Sequence, residues 1–213
     1  MLKKQIFTLF LLLTSICFSQ SSYKMLVGTY TRGTTSKGIY SLEFSGKGKL
    51  LSQKLLATSD NPSYLALSPD GKNVYAVNET GTESTVSAFA FDREHETLTF
   101  INKVNAGGAD PCFITVTDNH VFTANYSGGS ISVFGRKAGG AVTDTLKVIR
   151  HQRKNFGRGR FGPSNAHQVL FSPDRKVMIA TNLGTDHVFS YSYNPDDNKN
   201  TLKYIDQISV RKH

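Results

Sequence analysis

His167 stands where two related stretches of the same chain carry Ser63 and Cys112. An imidazole takes and gives protons near neutral pH. It also serves as a plain hydrogen-bonded structural group, and the sequence leaves both uses open. Just upstream, Arg158 and Arg160 alternate with Gly157, Gly159 and Gly162. Glycines let guanidinium groups come close to a ligand, and arginine grips phosphate or carboxylate with two parallel hydrogen bonds. A solvated surface loop has the same composition. Polar residues recur at corresponding points along the chain: Asn61, Asn78 and Glu79, then Asp110, Asn125 and Tyr126, then Asn165 and Asn182. Gathered at one mouth, they form the polar lining a small-molecule site requires, and they equally suit the ending of strands and turns. His120 and His187 at strand starts, and His95 and His151 in polar loops, read as surface groups.

Several chemistries lack their residues. The sequence has no paired-histidine or cysteine pattern for zinc, no phosphate-cradling glycine loop and no Gly-x-Ser-x-Gly elbow. Asp196-Asp197-Asn198 lacks the full spacing of a calcium loop and reads as a turn. No metal or organic cofactor is expected.

These candidates are placed by a repeat. Asn61-Pro62-Ser63-Tyr64-Leu65-Ala66-Leu67-Ser68-Pro69-Asp70-Gly71 and the following Val74 to Asn78 match Asn165 to Asp174 with Met178 to Asn182. Asp110 to Asn125 is the middle copy, and the spacings of 49 and 55 residues give a period of about 50, the size of a propeller blade. Each copy reads as four short strands, A to D, with β-branched and aromatic alternation broken by turn residues. The first copy has no A strand: Met25 to Tyr30 is B, Gly38 to Phe44 is C and Leu50 to Ala57 is D. Fifteen strands result, ending in Leu202 to Val210. The expected fold is all-β, a β-propeller of four-stranded antiparallel blades, with about four of an expected seven blades present. A closed four-bladed ring is the smaller alternative. Since strand A leaves one face and strand B returns to it, the start of A and the end of B share that face, and the Ser-Pro-Asp turns lie opposite.

Lys3 and Lys4 precede a run from Ile6 that is apolar to Leu13 except for Thr8 and continues to Phe18. It is too short to span a membrane and reads as a signal peptide over residues 1–19, leaving a propeller domain over 20–213. The mature chain is expected outside the cytoplasm, periplasmic or secreted, without stable membrane insertion. Its one remaining cysteine, Cys112, permits no internal disulfide. The net charge of +9 falls to +7 without Lys3 and Lys4, which favours anionic partners. Export argues against nucleic acid.

Val27-Gly28-Thr29-Tyr30-Thr31, the Asn61 to Gly71 stretch, Ala124-Asn125-Tyr126-Ser127-Gly128-Gly129-Ser130, and Ala166-His167-Gln168 followed by Asn182-Leu183-Gly184-Thr185-Asp186 together resemble the lactonase family of seven-bladed propellers, which includes bacterial 6-phosphogluconolactonases and fungal carboxymuconate cyclases. The resemblance covers essentially the whole mature chain. It implies hydrolysis of a sugar-acid lactone without a cofactor, on a small and anionic substrate. His167 then matches the family's histidine at the start of strand A, which activates water, and Arg160, with Arg158 beside it, matches the arginine that holds the anionic end. Asn165, Asn125, Tyr126, Asn78, Glu79 and Asn182 complete the expected substrate-binding set. Asn165 stands where many members have a second histidine, and Asn182 where they have an aspartate. A further family arginine and glutamate fall beyond His213. Export favours an unphosphorylated lactone. The rival from another class is a non-catalytic exported propeller that binds a protein or glycan.

Overall fold

The computed structural model describes residues 22–151 and 164–210. The expected signal segment, Arg158 and Arg160 lie outside the described residues. Four antiparallel sheets follow one another in the chain. The first is β1 (Ser22–Val27), β2 (Gly38–Ser45) and β3 (Leu50–Thr58); the second is β4 (Leu65–Leu67), β5 (Asn73–Asn78), β6 (Thr85–Asp92) and β7 (Thr97–Asn105). The third is β8 (Pro111–Val116), β9 (His120–Asn125), β10 (Ser130–Arg136) and β11 (Val142–Arg150); the fourth is β12 (Ala166–Phe171), β13 (Val177–Asn182), β14 (His187–Tyr193) and β15 (Leu202–Ser209). These fifteen strands are those expected from the repeat, grouped as four successive propeller-type sheets.

The second strands of the second and third sheets lie in the middle of the stack. All six residues of β5 and of β9 are buried. Successive sheets share their cores: Tyr75, Val77 and Val86 pack with Ile114, Val121 and Phe134, and Phe122 and Val133 pack with Val169, Met178 and Phe189. β1 ends three residues earlier than expected, because the chain leaves the sheet at Gly28. A Cβ at Gly28 would collide with the Pro62 carbonyl oxygen, so only glycine permits the first sheet to approach the second this closely.

Opposite the mouth, each Ser-Pro-Asp turn is built by its own side chains. The Ser68 hydroxyl donates to Asp70 at 2.5 Å, and this bond, with the Lys72 N–H, holds the Asp70 carboxyl down at about 2. Ser172 and Asp174 repeat the arrangement in the fourth sheet. The third strand of one blade then latches onto the blade before it. Arg136, its side chain only 12% exposed, donates to the Tyr75 hydroxyl at 2.9 Å, Asn73 Oδ1 at 3.0 Å, the Asp118 carbonyl at 3.1 Å and the Asp70 carboxylate at 3.3 Å. One blade later, the Tyr193 hydroxyl meets Thr117 at 2.8 Å and His120 Nδ1 at 2.9 Å.

Three of the histidines expected at the surface are interior. His120, His151 and His187 are 0%, 4% and 8% exposed, and His95 alone of the four is exposed. For His120 and His151 the cause is stacking against the next blade, which strand pattern does not report. His151, just past β11, lies flat on Phe189 of the next blade with ring centroids 3.9 Å apart. The Asn182 Oδ1 accepts the backbone N–H groups of Asn165 and Thr185, which leaves its side-chain NH2 to donate to His151 Nδ1 at 3.0 Å. The proton of the neutral ring is thereby fixed on Nε2, facing the Tyr191 hydroxyl at 3.0 Å. Burial lowers the His151 pKa to about 4.

Two outcomes follow. Arg136→Ala should cost about 2–3 kcal/mol, a Tm drop of roughly 5–10 °C, because it strips buried partners of a charged donor. Arg175→Ala, which removes only the exposed 3.0 Å pair with Asp118, should stay within about 0.5 kcal/mol. Equal losses in thermal unfolding would contradict this reading of the latch. For His151, the folded pKa lies below the unfolded value of 6.5, so the unfolded state binds a proton first as pH falls. Its contribution is present above pH 6.5 and is lost toward pH 4, about 2 kcal/mol between pH 7 and pH 5. Urea unfolding at both pH values should show this loss, and His151→Phe should shrink it; an unchanged pH dependence in the variant would assign the slope elsewhere.

Candidate active site

Pairing brings the start of each first strand to the end of the second: Pro111 lies opposite Asn125, and Ala166 opposite Asn182. A recurrent backbone bond closes this corner. The N–H groups of Glu79, Tyr126 and Leu183 donate to the carbonyls of Asn61, Asp110 and Asn165 at 3.2, 2.8 and 2.9 Å. The residues at these starts also stitch neighbouring blades together. Asn61 Oδ1 accepts the N–H groups of Thr31 at 2.8 Å and Arg32 at 3.0 Å, Asp110 Oδ1 accepts that of Gly81 at 2.8 Å, and the Asn165 amide donates to the Tyr126 carbonyl at 3.1 Å. Asn61 and Asp110 take left-handed φ values of 41° and 50°, a conformation asparagine and aspartate tolerate better than other side chains.

From this frame a row of side chains crosses the mouth. The Glu79 carboxylate is half-buried and accepts the Tyr30 hydroxyl, 3.0 Å from each oxygen, and the Ser63 hydroxyl. Cys112 follows, its thiol 3.3 Å from the His167 carbonyl. Burial first, and then the negative charges of Glu79 and Asp110, push that thiol up to about 11. It stays protonated at neutral pH and is no nucleophile. His167 itself is exposed, and the half-buried Tyr126 ring stands edge-on to it with centroids 6.2 Å apart. The row therefore runs from a carboxylate to an imidazole ring, with one or two residues from each of the second, third and fourth sheets.

The expected site residues fall into four groups. Glu79, Tyr126 and His167 face the mouth. Asn78, Asn125 and Asn182 are buried, with amides bound to protein partners: Asn78 to Ser59, Asp60 and Ser87, Asn125 to Ser130 and Ser132, and Asn182 to His151 and Ser164. Asn78 also lines a polar cavity of about 410 Å³ between the first two sheets, with Thr58, Phe100 and Lys103. Asn165 links blades through its amide. Arg158 and Arg160 lie outside the described residues. Tyr30 and Ser63 were not singled out as site residues, although Ser63 occupies the same repeat position as His167, and that equivalence was the signal available.

The profile of the family described as "Lactonase, 7-bladed beta-propeller" matches residues 24–212. A 6-phosphogluconolactonase of Bacillus subtilis is 32% identical over 174 residues, covering 80% of this chain and 49% of its own. The solved periplasmic gluconolactonase of Pseudomonas aeruginosa is 31% identical with a TM-score of 0.78, covering 87% of this chain and 55% of its own. A solved chain from Bacteroides fragilis is 41% identical with a TM-score of 0.79, covering 86% and 52%. The chain thus spans about half the length of the curated relatives it matches. With the repeat, the sheet order and these likenesses in agreement, the chain belongs to the lactonase family of seven-bladed β-propellers.

Proposed function

We propose that the protein hydrolyses the cyclic ester of a sugar acid, with His167 as the general base. The observation that supports this is the exposed imidazole at a mouth otherwise lined by Glu79, Ser63, Cys112 and Tyr126. In this reading a neutral His167 nitrogen takes a proton from water as the water oxygen attacks the lactone carbonyl carbon. The tetrahedral adduct then collapses, the ring carbon–oxygen bond breaks, and the imidazolium returns its proton to the departing alkoxide. Arg160, with Arg158 beside it, pairs with the anionic end of the substrate. The asparagine amides, spent on protein partners, hold the frame on which these groups sit.

The relatives include a 6-phosphogluconolactonase and a periplasmic gluconolactonase, which agree on a sugar-acid lactone and differ on the phosphate. The segment over residues 1–19 supports export, and with it a periplasmic or secreted protein acting on an unphosphorylated lactone whose anionic end is a carboxylate outside the ring ester. Among the described residues no helix is long and apolar enough to cross a membrane.

Kinetics on one anionic and one neutral lactone test this mechanism. His167→Ala should lower kcat on both by a factor of about 100 or more. Arg160→Ala should raise KM for the anionic lactone more than it lowers kcat, and spare the neutral one, as expected for a contact made equally in ground and transition states. Undiminished turnover in His167→Ala would remove the base from the mechanism. Saturable binding without turnover, indifferent to His167, would favour a propeller that only binds.

A further inference from the structure

Glu79 is a charged group in an unusual position. Four ion pairs form among the described residues, and none includes it. Its backbone is fixed at both ends of the peptide unit: its N–H donates to the Asn61 carbonyl at 3.2 Å, and its carbonyl accepts the Asn61 amide at 2.8 Å. Asn61 is in turn gripped by Thr31 and Arg32 of the preceding blade. The carboxylate is therefore preorganised, with its half-buried charge balanced by hydroxyls.

Those hydroxyls do not exhaust it. A carboxylate has about four acceptor positions on its two oxygens, whereas Tyr30 and Ser63 supply one proton each. Burial, and then Glu79 itself, raise the Tyr30 pKa, so the phenol remains a donor at neutral pH. The protonated Cys112 thiol lies on the next blade and bonds to carbonyls, the nearest being that of His167. Acceptor capacity thus remains at the mouth, on a group that repels anions. The ligand chemistry that fits is a pair of neighbouring hydroxyl groups, each donating one hydrogen bond to the carboxylate.

We infer that Glu79 is the specificity-determining residue that binds a vicinal diol of the sugar ring, directing the anionic end of the ligand away from itself. This rests on the reading of the mouth as a sugar-lactone site, but it does not depend on turnover. A carboxylate–hydroxyl pair of this kind distinguishes a polyhydroxylated ring from its unsubstituted counterpart, because removing the hydroxyls leaves the carboxylate short of donors.

Calorimetric binding of two non-hydrolysable lactams tests it: D-glucono-δ-lactam, which carries the hydroxyls, and 2-piperidone, the same ring without them. The wild-type protein should bind the hydroxylated lactam at least about tenfold more tightly. Glu79→Ala should abolish that preference to within about twofold and leave 2-piperidone unchanged. Should Glu79→Ala fail to fold in a thermal melt, Glu79→Gln decides. Its amide keeps one acceptor oxygen and should weaken only the hydroxylated lactam, by about threefold or more. Unchanged affinity in the folded variants, equal losses for both lactams, or no binding of either by the wild-type protein would overturn the assignment. Glu79-dependent binding in a protein without turnover would sink the hydrolytic reading alone, and turnover of glucono-δ-lactone with a binding-neutral Glu79→Ala would sink the diol subsite alone.

Discussion

The second strand of each complete blade ends on a buried asparagine, and the shape of the mouth depends on how that amide is satisfied. An unpaired buried amide costs about 1–3 kcal/mol, so each one has to recruit partners. Asn78 and Asn125 recruit serine hydroxyls from the strand that follows, Ser87 at 2.6 Å and Ser132 at 2.8 Å. Asn182 instead binds His151 from the preceding blade and Ser164 from the approach to its own first strand. The fourth sheet is therefore tied to the third by the group that closes its own corner.

That constraint places the row of side chains at the mouth. Once the corner is closed, the first strand starts at a set height, and the residue at one repeat position emerges at the mouth in every complete blade. Ser63, Cys112 and His167 occupy it in turn. Ser63 serves the Glu79 carboxylate, Cys112 is held as a thiol by burial and nearby charge, and His167 is left exposed. One backbone solution thus carries three different chemistries. The latches on the opposite face, Arg136 into the second sheet and Tyr193 into the third, keep successive blades in register far from the mouth.

The blades were legible because a repeat with a two-residue alternation and fixed turn residues reports both strands and their order. Strand ends were less so. β1 stops at Val27 because Gly28 meets Pro62 of the next blade, a contact that residues 25–30 alone do not encode. The histidines show the same limit from the other side. His120 and His151 sit in polar local sequence, and their burial comes from Tyr193, Asn198, Phe189 and Asn182 on the next blade. His167 and Glu79 were legible as candidates since repeat position and the strand-end rule both pointed to one mouth. The hydroxyl cradle of Glu79 was not, because Tyr30 lies 49 residues away and meets it only through the stacking of two sheets.

The assignment of a sugar acid to this mouth is tested most directly by nuclear magnetic resonance of protein labelled with 13C in its histidine rings, titrated with D-gluconate. Saturable shifts in the His167 ring signals, with those of the buried His120, His151 and His187 unmoved, are the predicted result. His167 signals that stay fixed at saturating gluconate would contradict it.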